Sequence, residues 1–129
     1  MAKEEYLMRL MGLEQEINSL EQQLQKIEQH ILDMQNMQIG LEELEKSKEK
    51  EMYANLGKNV FIKAEIKDKN LLVDIGNKTF VKKSISETLK IIEEQHLKLS
   101  EAKNAVISQL QELQHQTEEI IAEAESKGE

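Results

Sequence analysis

The chain has no cysteine, no proline and no tryptophan, and aromatic residues make up 3% of its 129 residues. Without cysteine there is neither a disulfide framework nor a thiolate site, which fits a reducing compartment. So few aromatics beside 33% charged residues exclude a compact globular core and match the composition of long helices and coiled coils. Arg9 is the only arginine and the formal charge is −8, so the chain lacks the basic face a nucleic-acid duplex or an anionic membrane would require. Long apolar runs are missing as well: the opening MAKEEYLMRLMG is no signal peptide, and no stretch reaches membrane-spanning length.

Chemistry-bearing constellations are also absent. The glycines are isolated, so there is no phosphate-cradling loop. His30, His96 and His115 fall at different heptad positions, far apart along a rod, which argues against a shared metal. Asp68 reads as a turn residue, and Asp74 points away from Val73 and Ile75 with no partner for catalysis. No Ser/His/Asp or Cys/His set suggests itself. The expectation is a protein that is not an enzyme and has no catalytic residue, cofactor or metal site.

What is present is periodicity. From about Tyr6 to Glu45 the residues Tyr6, Leu10, Leu13, Ile17, Leu20, Leu24, Ile27, Ile31, Met34, Gln38 and Leu41 alternate spacings of four and three, a heptad seam. A second seam follows from Ile85 through Leu89, Ile92, His96, Leu99, Lys103, Val106, Leu110, Leu113, Thr117, Ile120 and Ala124. Ser84 and Glu87 form the S-x-x-E capping box that opens it. If the chain doubles back, facing seam residues have numbers summing to a constant. Leu41 with Leu89, Leu24 with Val106, Leu20 with Leu110 and Leu10 with Ile120 all sum to 130. The two seams therefore match in phase and length as an antiparallel pair, with Ile27 facing Lys103 as a polar layer that costs stability and holds register.

Between the helices, residues 46–84 switch to a period of two. Val60, Ile62, Ala64 and Ile66 share one face and Phe61 the other, while Leu71, Val73 and Ile75 line up in a third strand. Turns fall at Gly57-Lys58-Asn59, Asp68-Lys69-Asn70 and Gly76-Asn77-Lys78. Two consecutive β-hairpins result, too small to bury an apolar face alone and so in need of strands from other chains. The expected architecture is α+β, mainly α: an antiparallel two-helix coiled coil connected by two β-hairpins that assemble into an intersubunit β-barrel. It is one domain over residues 1–129, with helices near 6–45 and 85–125 and the strands at 46–84.

Apolar residues outside the seam collect at the end where the chain starts and finishes. Leu7, Met8 and Met11 lie off the seam beside Tyr6 and Leu10, and Ile121 follows Ile120 on the returning helix. Such a cluster reads either as a methionine-rich terminus without a role or as an adaptable patch for apolar segments of other chains. A second set, Met37, Ile39, Leu44 and Ile91, is expected to pack under the strands.

The stretch LGKNVFIKAEIKD, followed by LLVDIG and VKKSISETLKIIEE, resembles the α class of prefoldin subunits. The resemblance covers essentially the whole chain. It departs where the family often has proline before the Leu-Gly step and a second glycine after it; here Asn55 and Asn59 stand there. The β class would be expected to carry a single hairpin. The resemblance implies a heterohexamer of two α-type and four β-type subunits, its strands joined in a double β-barrel bearing six coiled-coil tentacles. It implies an ATP-independent cytoplasmic holdase that grips unfolded clients at its tips and delivers them to a group II chaperonin. Tyr6, Leu7, Met8, Leu10, Met11, Ile120 and Ile121 would form the client-binding tip. Val60, Phe61, Ile62, Ala64, Ile66, Leu71, Val73 and Ile75 would serve oligomerisation. The alternative is a structural coiled-coil scaffold or filament-forming tether without client binding.

Overall fold

The computed structural model describes residues 3–127, so the outermost positions of the expected domain lie outside it. Two long helices, α1 (Lys3–Lys46) and α2 (Ile85–Ser126), enclose in sequence four short strands: β1 (Glu51–Gly57), β2 (Val60–Glu65), β3 (Leu71–Asp74) and β4 (Phe80–Lys83). The chain divides into two compact units, residues 1–33 with 96–129, and residues 34–95.

In the first unit the two helical segments run antiparallel. Tyr6, Val106, Leu110 and Ile120 are buried, and Leu10, Leu13, Ile17, Leu20, Leu24, Ile27 and Ile31 are half-buried, so the water-shielded stripe is the heptad seam. Lys103 of α2 reaches Glu28 of α1 at 3.8 Å. That ion pair fits the register that sets Lys103 against Ile27. The long Lys103 stem lies along the seam while its ammonium stays at the surface.

In the second unit the strands form two separate antiparallel pairs. In β1·β2, Met52 faces Ala64 and Ala54 faces Ile62; in β3·β4, Leu71 faces Lys83 and Val73 faces Val81. The turns explain why the hairpins close where they do. The Gly57 N–H donates to Asn55 Oδ1 at 2.8 Å, and the Gly76 N–H donates to Asp74 Oδ1 at 2.8 Å. Each glycine has a left-handed φ (117° and 102°), and each is followed by two left-handed residues, Lys58-Asn59 and Asn77-Lys78. One turn has been written twice: Asn55-Leu56-Gly57 and Asp74-Ile75-Gly76 lie nineteen residues apart, and so do Phe61 and Phe80, and Lys63 and Lys82.

Lysine is a poor choice at φ 58°, because its Cβ crowds the neighbouring carbonyl at about 1–2 kcal/mol per residue. Replacing Lys78 by glycine creates Asn-Gly, the favoured pair for this turn. Lys78→Gly is expected to stabilise the second hairpin by about 1 kcal/mol. The measurement is slower amide exchange at Ile75, whose N–H donates to the Thr79 carbonyl at 3.0 Å. Unchanged exchange would contradict it.

Several contacts tie the strands to the helix ends. Ser84 caps α2: its Oγ accepts the Glu87 N–H at 3.0 Å, and its hydroxyl donates to the Glu87 carboxylate at 3.1 Å. The Lys69 ammonium donates to the Ser47 carbonyl at 2.6 Å, just past the end of α1, where a cation suits the helix dipole. Asp68 accepts the Asn70 N–H at 2.9 Å and pairs with Lys82 at 3.1 Å. The Asn70 bond above all, with the Lys82 ammonium, holds the Asp68 carboxyl below its ordinary value of 3.8.

A depressed folded pKa means that Asp68 contributes to stability above its unfolded pKa, and that the contribution is lost as pH falls through the folded value. The 67–70 loop is therefore expected to hold from neutral pH down to the ordinary carboxylate range and to loosen only below it. The Asn70 amide shift followed against pH should have its midpoint under the ordinary aspartate value; a midpoint at or above it would refute the linkage.

Two expectations need correction. Gln38 is exposed, the one seam position of α1 that is, and its amide donates to Glu42 on its own helix at 3.2 Å. Of the set expected under the strands, Leu44 and Ile91 are half-buried, but Met37 and Ile39 stand more than half exposed. The four strands split into two small pairs and do not spread over that part of α1.

Candidate functional site

Two surfaces of the chain leave apolar side chains or strand edges exposed. The first lies in the helical unit, where the start of α1 meets the end of α2. Tyr6 and Ile120 are the innermost residues there, 3% and 4% exposed, while Leu10 is half-buried. Around them Leu7, Met8, Met11 and Ile121 stay in water, Met8 at 73% exposure. An open groove of about 260 Å³ runs among Tyr6, Leu7, Leu10, Ile121 and Ala124. Of the seven residues expected to form this end, four therefore present apolar surface and Leu10 lines the groove, while Tyr6 and Ile120 support it from within the core. The Tyr6 hydroxyl is buried and makes no well-formed hydrogen bond. The Lys127 ammonium lies near enough that the phenol first, and Glu123 after it, raise the Lys127 pKa above its ordinary value.

The second surface is the pair of hairpins. Every strand has one partner only, so each hairpin leaves the outer edges of both its strands unpaired. Among the expected assembly residues, Ala64, Ile66, Leu71 and Val73 are half-buried, whereas Val60, Phe61, Ile62 and Ile75 are exposed. The structure adds five exposed apolar residues that strand alternation alone did not single out: Met52, Tyr53, Leu56, Leu72 and Phe80. The nineteen-residue repeat would have found two of them, since Phe80 stands where Phe61 does and Leu56 where Ile75 does.

Among the described residues no group of three or more His, Cys, Asp or Glu side chains is placed to hold a metal. Among the same residues no helix is long and apolar enough to cross a membrane.

The prefoldin subunit family model matches residues 13–129. The chain belongs to the prefoldin family. Among solved structures it is similar to filamentous PFD from Methanocaldococcus jannaschii, seen by cryo-electron microscopy, with a TM-score of 0.77 at 20% identity over 89% of this chain and 97% of that one. At that identity the likeness speaks for the fold. No curated protein matches the chain. Two long helices with two small antiparallel strand pairs are thus a prefoldin fold, and prefoldin subunits are chaperone-type proteins that assemble with one another.

Proposed function

We propose that this chain is an α-class prefoldin subunit, one domain over residues 1–129, working in a cytoplasmic ATP-independent holdase. The observation that carries the reading is a cluster of exposed apolar side chains at one end of the helix pair. Leu7, Met8, Met11 and Ile121 lie at the end of the helix pair, while the off-seam positions from Glu14 to Lys26 are polar. An end of this kind suits weak, promiscuous contact with unfolded chains, because flexible methionine and leucine adapt to many shapes.

The presence of two hairpins supports the α class, and their open edges support completion of a β-barrel by strands of β-type subunits. Two copies of this chain with four of a β-type chain would place several client-binding ends on one platform. Multivalency then raises avidity by about 10²–10⁴ without any new contact. Release to a group II chaperonin requires no hydrolysis, in keeping with a chain that is not an enzyme.

The test is native mass spectrometry on tagged chain purified from its own cells. Two copies with four copies of a second small coiled-coil chain are expected. A lone homodimer would favour a structural tether, and a long homopolymer a filament-forming scaffold; either would overturn the mixed hexamer.

A further inference from the structure

The chain has six methionines and no cysteine, so thioethers are the only sulfur an oxidant can meet. Five of them lie among the described residues, and they differ in depth. Met34 is half-buried on the seam, while Met52, Met37, Met11 and Met8 are 45%, 52%, 61% and 73% exposed. The two most exposed of the five are thus the two at the open end of the helix pair. Met8 and Met11 stand three residues apart on α1, so their side chains are neighbours on its surface. An oxidant dissolved in water reaches these two sulfurs more readily than the one on the seam.

Hydrogen peroxide oxidises a thioether in one step. The sulfur lone pair attacks one peroxide oxygen, and the S–O bond forms as the O–O bond breaks. Sulfur gives up two electrons; the departing oxygen takes the proton of the transferred one and leaves as water. The product sulfoxide is polar and accepts hydrogen bonds, where the thioether was flexible and apolar. Methionine sulfoxide reductases reverse the change, two thiols passing to a disulfide while the oxygen leaves as water. A sulfoxide at Met34 would disturb the seam. At Met8 and Met11 it would face water, so the helix pair keeps its packing and only the apolar surface offered at this end is lost.

We propose that Met8 and Met11 form a reversible oxidation site that weakens the client-binding end under peroxide and restores it on reduction. The inference rests on the reading of that end as client-binding and adds its regulation. Leu7 and Ile121 carry no sulfur and keep part of the surface, so the switch loosens the grip without abolishing it. Loss of the two thioethers is expected to lower affinity at one end by about tenfold. Several ends acting together enlarge the effect.

The test treats the full chain, as purified from its own cells, with hydrogen peroxide for increasing times and stops each sample with catalase. Peptide mass spectrometry follows the gain of one oxygen at each methionine, and suppression of client aggregation is read on the same samples. Met8 and Met11 are expected to oxidise first and Met34 last. Suppression should fall in step with Met8 and Met11 while helicity by circular dichroism stays constant, and should return after a methionine sulfoxide reductase with dithiothreitol. A chain carrying Met8→Leu and Met11→Leu keeps apolar side chains without sulfur; compared with its own untreated state, it should lose no suppression under peroxide. Met37→Leu with Met52→Leu should stay as sensitive as wild type. Oxidation of Met34 as fast as Met8, or a peroxide effect that persists in the Met8→Leu, Met11→Leu chain, overturns the proposal. So does full oxidation of both residues with suppression intact. In that last case untreated Leu7→Ser, Met8→Ser, Met11→Ser chain shows which idea has failed: if it has lost suppression, only the switch is wrong, and if it has not, the client-binding end is wrong as well.

Discussion

A chain carrying Leu7→Ser, Met8→Ser and Met11→Ser together is expected to lose nearly all suppression of client aggregation while its oligomeric state stays unchanged. All three side chains are exposed and lie off the seam, so removing them takes little from the packing of the helix pair. What is lost is apolar surface available to a client. At about 25 cal/mol per Å², each partly covered side chain is worth roughly 1–1.5 kcal/mol. Three of them sum to about 4 kcal/mol, near a thousandfold in affinity at one end. Several ends acting together amplify the loss, since avidity depends on each of them. Leu32→Ser with Leu97→Ser is the control. Both leucines are exposed on the same helical unit but away from this end, so their loss should leave suppression intact. Equal loss in the two variants would mean that clients use the length of the helices. No loss in the triple variant would remove the end assignment.

How much of this could be read from the sequence differs by element. The helices were legible because the seam repeats without a break and its residues fall on one shielded stripe, from Tyr6 to Leu41 and from Ile85 to Ala124, with Gln38 alone turned outward. A heptad seam needs only one partner of matching phase, and the returning helix supplies it. The strands were legible as hairpins for a similar reason: Gly57 and Gly76 sit where a left-handed φ is needed. Less legible was which face of each hairpin remains in water. Ala54, Ala64 and Val73 are half-buried but Ile62, on the same alternating face of β2 as Ala64, is exposed, so alternation alone does not give burial. Likewise Tyr6 and Ile120 belong to the apolar cluster by position, yet the helix pair closes over them. Periodicity names a seam residue; it does not say whether the last seam layer is capped by neighbours or open to a client.

The seam itself carries the other large expected effect. Leu110→Asp should collapse the helical unit, with a steep fall in helicity and in the thermal midpoint. Truncating a buried leucine to alanine already costs about 2–5 kcal/mol, against a total of about 5–15 kcal/mol for a typical domain. Leu110 is 9% exposed, and a short carboxylate at that depth can neither reach water nor find a partner, which adds the cost of an unpaired buried charge. Leu110→Lys is expected to be milder. Lys103 occupies the same seam one heptad earlier, and the helix pair accommodates it because the four-carbon stem carries the ammonium out to Glu28. The ordering wild type, then Leu110→Lys, then Leu110→Asp separates seam polarity as such from the inability of a short side chain to escape it. Gln111→Asp, one residue along on the exposed face, adds the same charge and should change stability by no more than about 0.5 kcal/mol. Equal damage from aspartate and lysine at position 110 would show that the seam there has no route to water for either charge. Damage from Gln111→Asp comparable to that from Leu110→Asp would show that net charge, and not burial, governs the helix pair.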